Sequence, residues 1–241
     1  MSYVVTQRRK VGADSNKLYP EDIPVHEWYR FVLSYPPHLV RDYIKRFGIT
    51  KDQLVLDPFC GTGTTNVECK KLGIPSVGIE ANLVAHFAGH VKINWNPDPD
   101  GLIKHASAVA ESVLSALRTV GIEDDLFFTS NAGSLAYLRT LPPEVMKLML
   151  TNSISPLPLH KVLVLIDQLK SRSDERYYHH EMLALAKALV CTISNLKFGP
   201  EVGIGRIKDD VSVIRTWLAG VQIMADDLRN VNHLRDVPAY I

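Results

Sequence analysis

Two carboxylates and a pair of glycines stand out in VLDPFCGTGTTNVECKKLGIPSVGIEAN, residues 55–82. Asp57 closes one short apolar run, and Glu80 closes a second, SVGIE. Between them, Gly61 and Gly63 let the backbone turn tightly and approach a ligand where a Cβ would collide. The helical NVECKKLG that follows aims its free N–H groups, and the positive end of its dipole, at that turn. Asp57 can accept hydrogen bonds from a cationic amine. A carboxylate placed like Glu80 can take both hydroxyls of a ribose. Together these residues describe a crevice for a nucleoside cofactor at the carboxyl ends of parallel strands.

The elements that must position them follow from the apolar pattern. Residues 26–100 read as α/β: a helical lead-in, a strand near 53–58, a helix, and a second strand near 76–80. Residues 236–241 begin a further strand, VPAYI. Between 101 and 235 the pattern predicts helices only. Leu102, Ala106, Val109, Val113, Leu117 and Val120 keep a spacing of three to four. So do Leu159, Val162, Leu163, Ile166 and Leu169, then Leu183, Ala186, Leu189, Val190 and Ile193, then Val213, Ile214, Trp217, Val221, Met224 and Leu228. NPDPDG (96–101), LPPE (141–144), SPLP (155–158) and FGPEVGIG (198–205) read as breakers. Residues 1–25, with Pro20 and Pro24, form a polar arm.

Composition narrows the class. A chain of 241 residues that is 46% hydrophobic can bury a substantial core. The formal net charge of +1, from 27 basic and 26 acidic residues, excludes a generally basic nucleic-acid protein and leaves room for a local patch. Cys60, Cys69 and Cys191 have neither metal nor disulfide spacing, so no metal site is expected and a reducing compartment is. The first residues lack a leader's apolar segment, and no run is long enough to span a membrane. The expectation is a cytoplasmic protein with no membrane contact.

The dinucleotide pattern G-x-G-x-x-G is absent, because Asn66 stands at its third glycine, and the P-loop pattern is absent too. Instead, D-P-F-x-G-x-G-T-T followed by G-I-E resembles the signature of S-adenosylmethionine-dependent DNA methyltransferases that act on exocyclic amines. HEWYRFVLSYPPHLVRDYIKRFG (26–48) is similar to the family's segment ahead of that motif. The resemblance implies an α/β fold: a partial Rossmann-like sheet of about three parallel strands, carrying a large all-helical insertion. It implies S-adenosylmethionine as cofactor, held by Asp57, Pro58, Phe59, Cys60, Gly61, Thr62, Gly63, Thr64 and Thr65, by Glu80, Ala81 and Asn82, and by Tyr35 and Pro36. It implies DNA as partner and direct methylation of adenine N6 or cytosine N4. Among the lead-in aromatics, Trp28, Tyr29 and Phe31 are expected in the core. Cys60 in the turn reads by itself as a small hydrophobe.

The family's catalytic motif, a polar residue followed by P-P and an aromatic, is missing. LPPE has Leu141 before its prolines and Glu144 after them, YPPH belongs to the lead-in, and SPLP is broken by Leu157. The catalytic residues are therefore unknown, with Asn131 and Asn195 the first amides to consider within 101–235. The family's first strand is central, so these strands alone would leave it as an apolar edge. The expectation is the N-terminal part of a methyltransferase, completed by a second chain or a homodimer. A non-catalytic cofactor-binding subunit, or a methyltransferase of RNA or small molecules, is the alternative. RYYHH (176–180) reads as a surface or a helix start, NLKFGPEVGIG (195–205) as a functional loop or a plain connection, and QRRK (7–10) as a solvated tail able to reach phosphate.

Overall fold

Helix α1 (Pro37–Phe47) starts where two prolines leave it no choice of φ, and a proline's missing N–H costs nothing in a first turn. It ends at Gly48, in the left-handed region, whose N–H bonds the carbonyls of Ile44 and Lys45. Val40 and Ile44 pack on Cys69 and Ile74, a small core beneath the first strand. The computed structural model describes residues 18–31, 34–124, 138–198 and 201–241. QRRK, Asn131 and the Gly199-Pro200 pair lie outside the described residues.

The sheet is parallel. Strand β1 (Val55–Asp57) is followed by α2 (Thr64–Lys71), β2 (Ser76–Gly78) and α3 (Leu83–Ile93). Much later, β5 (Ala239–Tyr240) adds to the far side of β2, so the order is β1-β2-β5 with β1 at the edge. The expected α/β class and three parallel strands are thus present, with strands shorter than the apolar runs that announced them. Leu56, Val77 and Tyr240 form one registered row. Successive strand residues face opposite ways, so this row shares its face with the flanking Leu54 and Ile79. Leu54, Leu56, Ile79 and Tyr240 are 64, 59, 57 and 65% exposed. Parallel sheets are ordinarily covered on both faces. Here one apolar face has no cover among the described residues.

The other face leads into the main core. It runs from Trp28 and Tyr29 of the lead-in through Val67, Ala88 and Val91 to the long helices α4 (Pro99–Thr119), α6 (Pro156–Ser171), α7 (Tyr178–Ala188) and α8 (Val213–Val231). A four-residue helix, α5 (Pro143–Met146), precedes α6. The α4 stripe from Leu102 to Leu117 is buried as its spacing predicts, whereas Val120 lies past the helix end and is exposed. Asp98 caps α4 by accepting from the Gly101 N–H at 2.6 Å. Asp227 of α8 accepts from both the Val25 N–H and the Trp28 indole, each at 2.8 Å, and pins the lead-in to the helices.

In the 101–235 region the structure details two readings and corrects a third. SPLP falls at a helix boundary: Ser155 precedes the first turn of α6, where prolines are tolerated. Of the two readings of RYYHH the structure takes the helix start, with Tyr177 and His180 buried and His180 Nε2 paired with the Asn94 carbonyl at 3.0 Å. The region is also not all helical. Strands β3 (Leu196–Phe198) and β4 (Val202–Ile204) form an antiparallel hairpin, with Leu196 opposite Ile204 and Phe198 opposite Val202. The run reads as a breaker because each strand is too short to show alternation above a loop background.

Candidate functional site

The turn after β1 is built from backbone bonds that only its glycines permit. Gly61 (φ +54°) and Gly63 (φ +78°) both take left-handed conformations. The Gly63 N–H bonds the Cys60 carbonyl at 2.8 Å, and Gly63 then caps the start of α2. The Cys60 N–H reaches across to the Ile79 carbonyl at 3.1 Å, fastening the turn to the end of β2.

Glu80 bridges the two strand tips. Its Oε2 accepts from the Gly61 N–H at 2.9 Å and its Oε1 from the Asn82 N–H at 2.7 Å. Asn82 in turn caps α3, its Oδ1 accepting from Val84 and Ala85 at 3.0 Å each. Each Glu80 oxygen retains a lone pair for a ligand hydroxyl.

At the other side, two hydroxyls converge on one carboxylate oxygen. Thr65 Oγ1 donates to Asp57 Oδ2 at 2.6 Å, and the Tyr35 hydroxyl lies 3.1 Å from Oδ2 and 2.6 Å from Thr65 Oγ1. The Phe59 N–H donates to Asp57 Oδ1 at 3.1 Å. Burial pushes the Tyr35 phenol up to about 12, and the Asp57 charge adds to the rise, so it remains a protonated donor. Burial likewise raises the Cys60 thiol to about 11, with Asp57 and Glu80 contributing. A thiol that stays protonated is no nucleophile at neutral pH.

The structure brings Tyr35, Asp57, Phe59, Gly61, Gly63, Thr65, Glu80 and Asn82 around one mouth. Phe59 is 87% exposed, and Pro58 and Ala81 are exposed beside it. Cys60, Thr62, Thr64 and Pro36 are buried beneath or behind the turn. Trp28 and Tyr29 are core as expected, while Phe31 is more exposed than that reading allowed, packing edge-on against Tyr29.

Asn66, at the position of a third glycine, is fully buried; its Nδ2 donates to Ser76 Oγ and to the Tyr240 carbonyl, both at 3.3 Å. Its room comes from Gly78, where a Cβ would approach Cys60 Sγ to 2.7 Å and Asn66 Oδ1 to 2.9 Å. Gly78 thus supplies, from the next strand, the space that the Asn66 side chain occupies. Asn195 is occupied structurally: its Nδ2 donates to the Asn152 carbonyl and Ser155 Oγ, and its Oδ1 accepts from the Lys208 N–H. Both ends of this buried amide are engaged within the fold.

Sequence reading missed a charged network behind the turn. Arg41 donates to Asp22 at 2.5 Å and to Glu68 at 2.6 Å, and His26 Nε2 pairs with Glu68 at 2.8 Å. Burial holds His26 down to about 3, so it donates to Glu68 as a neutral imidazole. Burial alone would raise Glu68, yet its partners bring it to about 2. No local spacing links positions 22, 26, 41 and 68, so nothing in the sequence marks them as a set. Among the described residues no group of three or more His, Cys, Asp or Glu is placed to hold a metal ion, and no helix is long and apolar enough to cross a membrane.

Residues 7–86 match the N6/N4 family of DNA methylases. That segment is similar to an amino-methylating DNA methylase. It contains the lead-in, the glycine turn and Glu80, and it stops within α3. The chain is 37% identical over 81 residues to the type II methyltransferase M.BsoBI of Geobacillus stearothermophilus, covering 34% of this chain and 15% of that protein. It is 35% identical over 69 residues to the type II methyltransferase M.MjaII of Methanocaldococcus jannaschii, covering 29% of this chain and 13% of that protein. The chain thus matches a small part of these relatives' length. No solved structure matches the chain. The helices from α4 onward lie beyond the residues that the family model matches.

Proposed function

We propose that the turn binds S-adenosylmethionine and that the chain is the cofactor-holding part of a DNA methyltransferase acting on adenine N6 or cytosine N4. The observation that carries the reading is the Glu80 carboxylate, fixed between the tips of β1 and β2 by the Gly61 and Asn82 N–H groups. That cradle fits a ribose, and the Asp57 carboxylate on the opposite side fits an ammonium. The exposed rings and chains of Phe59 and Leu83 offer apolar surface beside it. The cofactor supplies an electrophilic methyl group; the chain's own residues orient it and shield one side.

The amine-orienting motif is absent from the sequence, and the apolar row Leu56–Val77–Tyr240 is uncovered. Both favour a sheet completed by further polypeptide, from a partner chain or a second copy, in the cytoplasm where DNA is met. Alone, the chain would transfer no methyl group, and the reading as a non-catalytic cofactor-binding subunit rests on the same two observations. Calorimetry with S-adenosylmethionine tests the site. Glu80→Ala removes a charged hydrogen-bonding partner and should weaken binding by about 1.5–3 kcal/mol. Equal binding by both proteins would remove the ribose from Glu80.

A further inference from the structure

We propose that Arg41 is a positioning residue for the amino-acid end of the cofactor site, locking α1 to α2 so that Tyr35 stays on Asp57 and Thr65. The inference rests on the cofactor reading above and adds a residue outside the turn to it.

Two buried carboxylates from separate parts of the chain meet on one guanidinium. Asp22 is 0% and Glu68 1% exposed in their side chains, and Arg41 bridges them from α1. The remaining contacts of the pair are weaker or shared. Asp22 Oδ2 accepts from the Tyr19 N–H at 3.0 Å and pairs with His38 at 3.3 Å. Glu68 Oε1 pairs with neutral His26 at 2.8 Å and with Lys71 at 3.2 Å. Removing Arg41 would leave two buried charges under-compensated, and such groups relax by rotating toward water.

The rotation has a short path to the site. Glu68 lies three residues after Thr65 on α2, one turn along the same face. On α1, Tyr35 is joined to the helix through Pro36 and Pro37, whose rings fix φ, so Tyr35 moves with the helix rather than independently of it. A shift of α1 against α2 therefore separates the Tyr35 hydroxyl from Asp57 and Thr65. The nucleoside side is insulated from this. Gly61, Glu80 and Asn82 hang on β1, β2 and α3, and none of their hydrogen bonds involves α1.

The test uses the full chain, Arg41→Met, and two probes: S-adenosylmethionine, and 5′-methylthioadenosine, which keeps the nucleoside and lacks the amino-acid end. Calorimetry should show the variant about tenfold weaker for S-adenosylmethionine and unchanged for methylthioadenosine. Arg41→Lys should recover part of the loss. An equal loss for both probes would mean Arg41 only supports the fold, and no loss for either would mean Tyr35 is held without it. Both results overturn the proposal. Glu68→Gln, which keeps shape and one Arg41 contact, provides the same comparison should Arg41→Met fail to fold. If the wild type binds methylthioadenosine but not S-adenosylmethionine, Arg41 has nothing to position; if it binds neither, the cofactor reading itself falls.

Discussion

Ile241 rests on Gly63: a Cβ built on that glycine would stand 2.9 Å from Ile241 Cδ1. The same methyl would lie 2.7 Å from a Cβ on Gly89 of α3, so the side chain just after the third strand fills the gap between turn and helix. The two glycines differ in a way that can be measured. Gly63 has φ +78°, whereas Gly89 is an ordinary helical residue whose other neighbours stand at 3.4 Å or more. Gly89→Ala should destabilise by about 1–3 kcal/mol through overpacking. It should become neutral or stabilising when combined with Ile241→Ala. Gly63→Ala should stay destabilised in both backgrounds, because its backbone strain of about 1–2 kcal/mol does not depend on Ile241. Thermal melts of the double-mutant cycle give the answer.

Tyr35→Phe removes the hydroxyl from Asp57 and Thr65 and leaves the ring in place. The expected cost is about 0.5–1.5 kcal/mol by urea denaturation with an unchanged slope. A larger loss would mean the ring itself shifts.

Lys92 gives stability a pH dependence. It is fully buried, and its Nζ lies 3.4 Å from the Tyr29 carbonyl. Burial depresses it to about 7, and Lys71, Arg30 and Lys187 add to the effect against Glu27. Above that value the folded chain releases a proton that the unfolded chain keeps until its ordinary lysine range. Stability should therefore rise with pH from about 7 to about 10.4 and gain nothing from Lys92 below that window. Lys92→Met should flatten the rise in urea midpoints measured across it; an unchanged slope would assign the dependence to other groups.

The uncovered sheet face predicts association. Light scattering across a concentration series should show self-association or aggregation of the wild type. Leu56→Lys should suppress it with little change in melting temperature, since Leu56 is already exposed. A wild type that stays monomeric at high concentration would mean the face is tolerated in water.

What could be read in the sequence was local. The glycine turn, both carboxylates and the three strands were legible because each is a short contiguous run whose chemistry is set by adjacent residues. Gly78 was hidden because its role exists only against Asn66 on another element. Asp124 was hidden for the same reason. It accepts from Ser212 Oγ at 3.0 Å and from the Val213 and Ile214 N–H groups at 2.9 and 2.8 Å, capping α8 from far along the chain. The β3–β4 hairpin escaped because two three-residue strands around glycine and proline carry less periodic signal than the helices beside them. Arg41, Asp22 and Glu68 would each pass for a solvated charge until the fold brings them together.

Asp227 limits how the chain can be recombined. Its carboxylate belongs to the last long helix, yet it satisfies Val25 and Trp28 in the lead-in ahead of the sheet. The helical unit is therefore not a cassette that evolution or an engineer can exchange at residue 100. A graft from a relative would need its own acceptor at that spot, or the buried indole would have no partner. Divergence in the helices is tethered to the lead-in by one side chain.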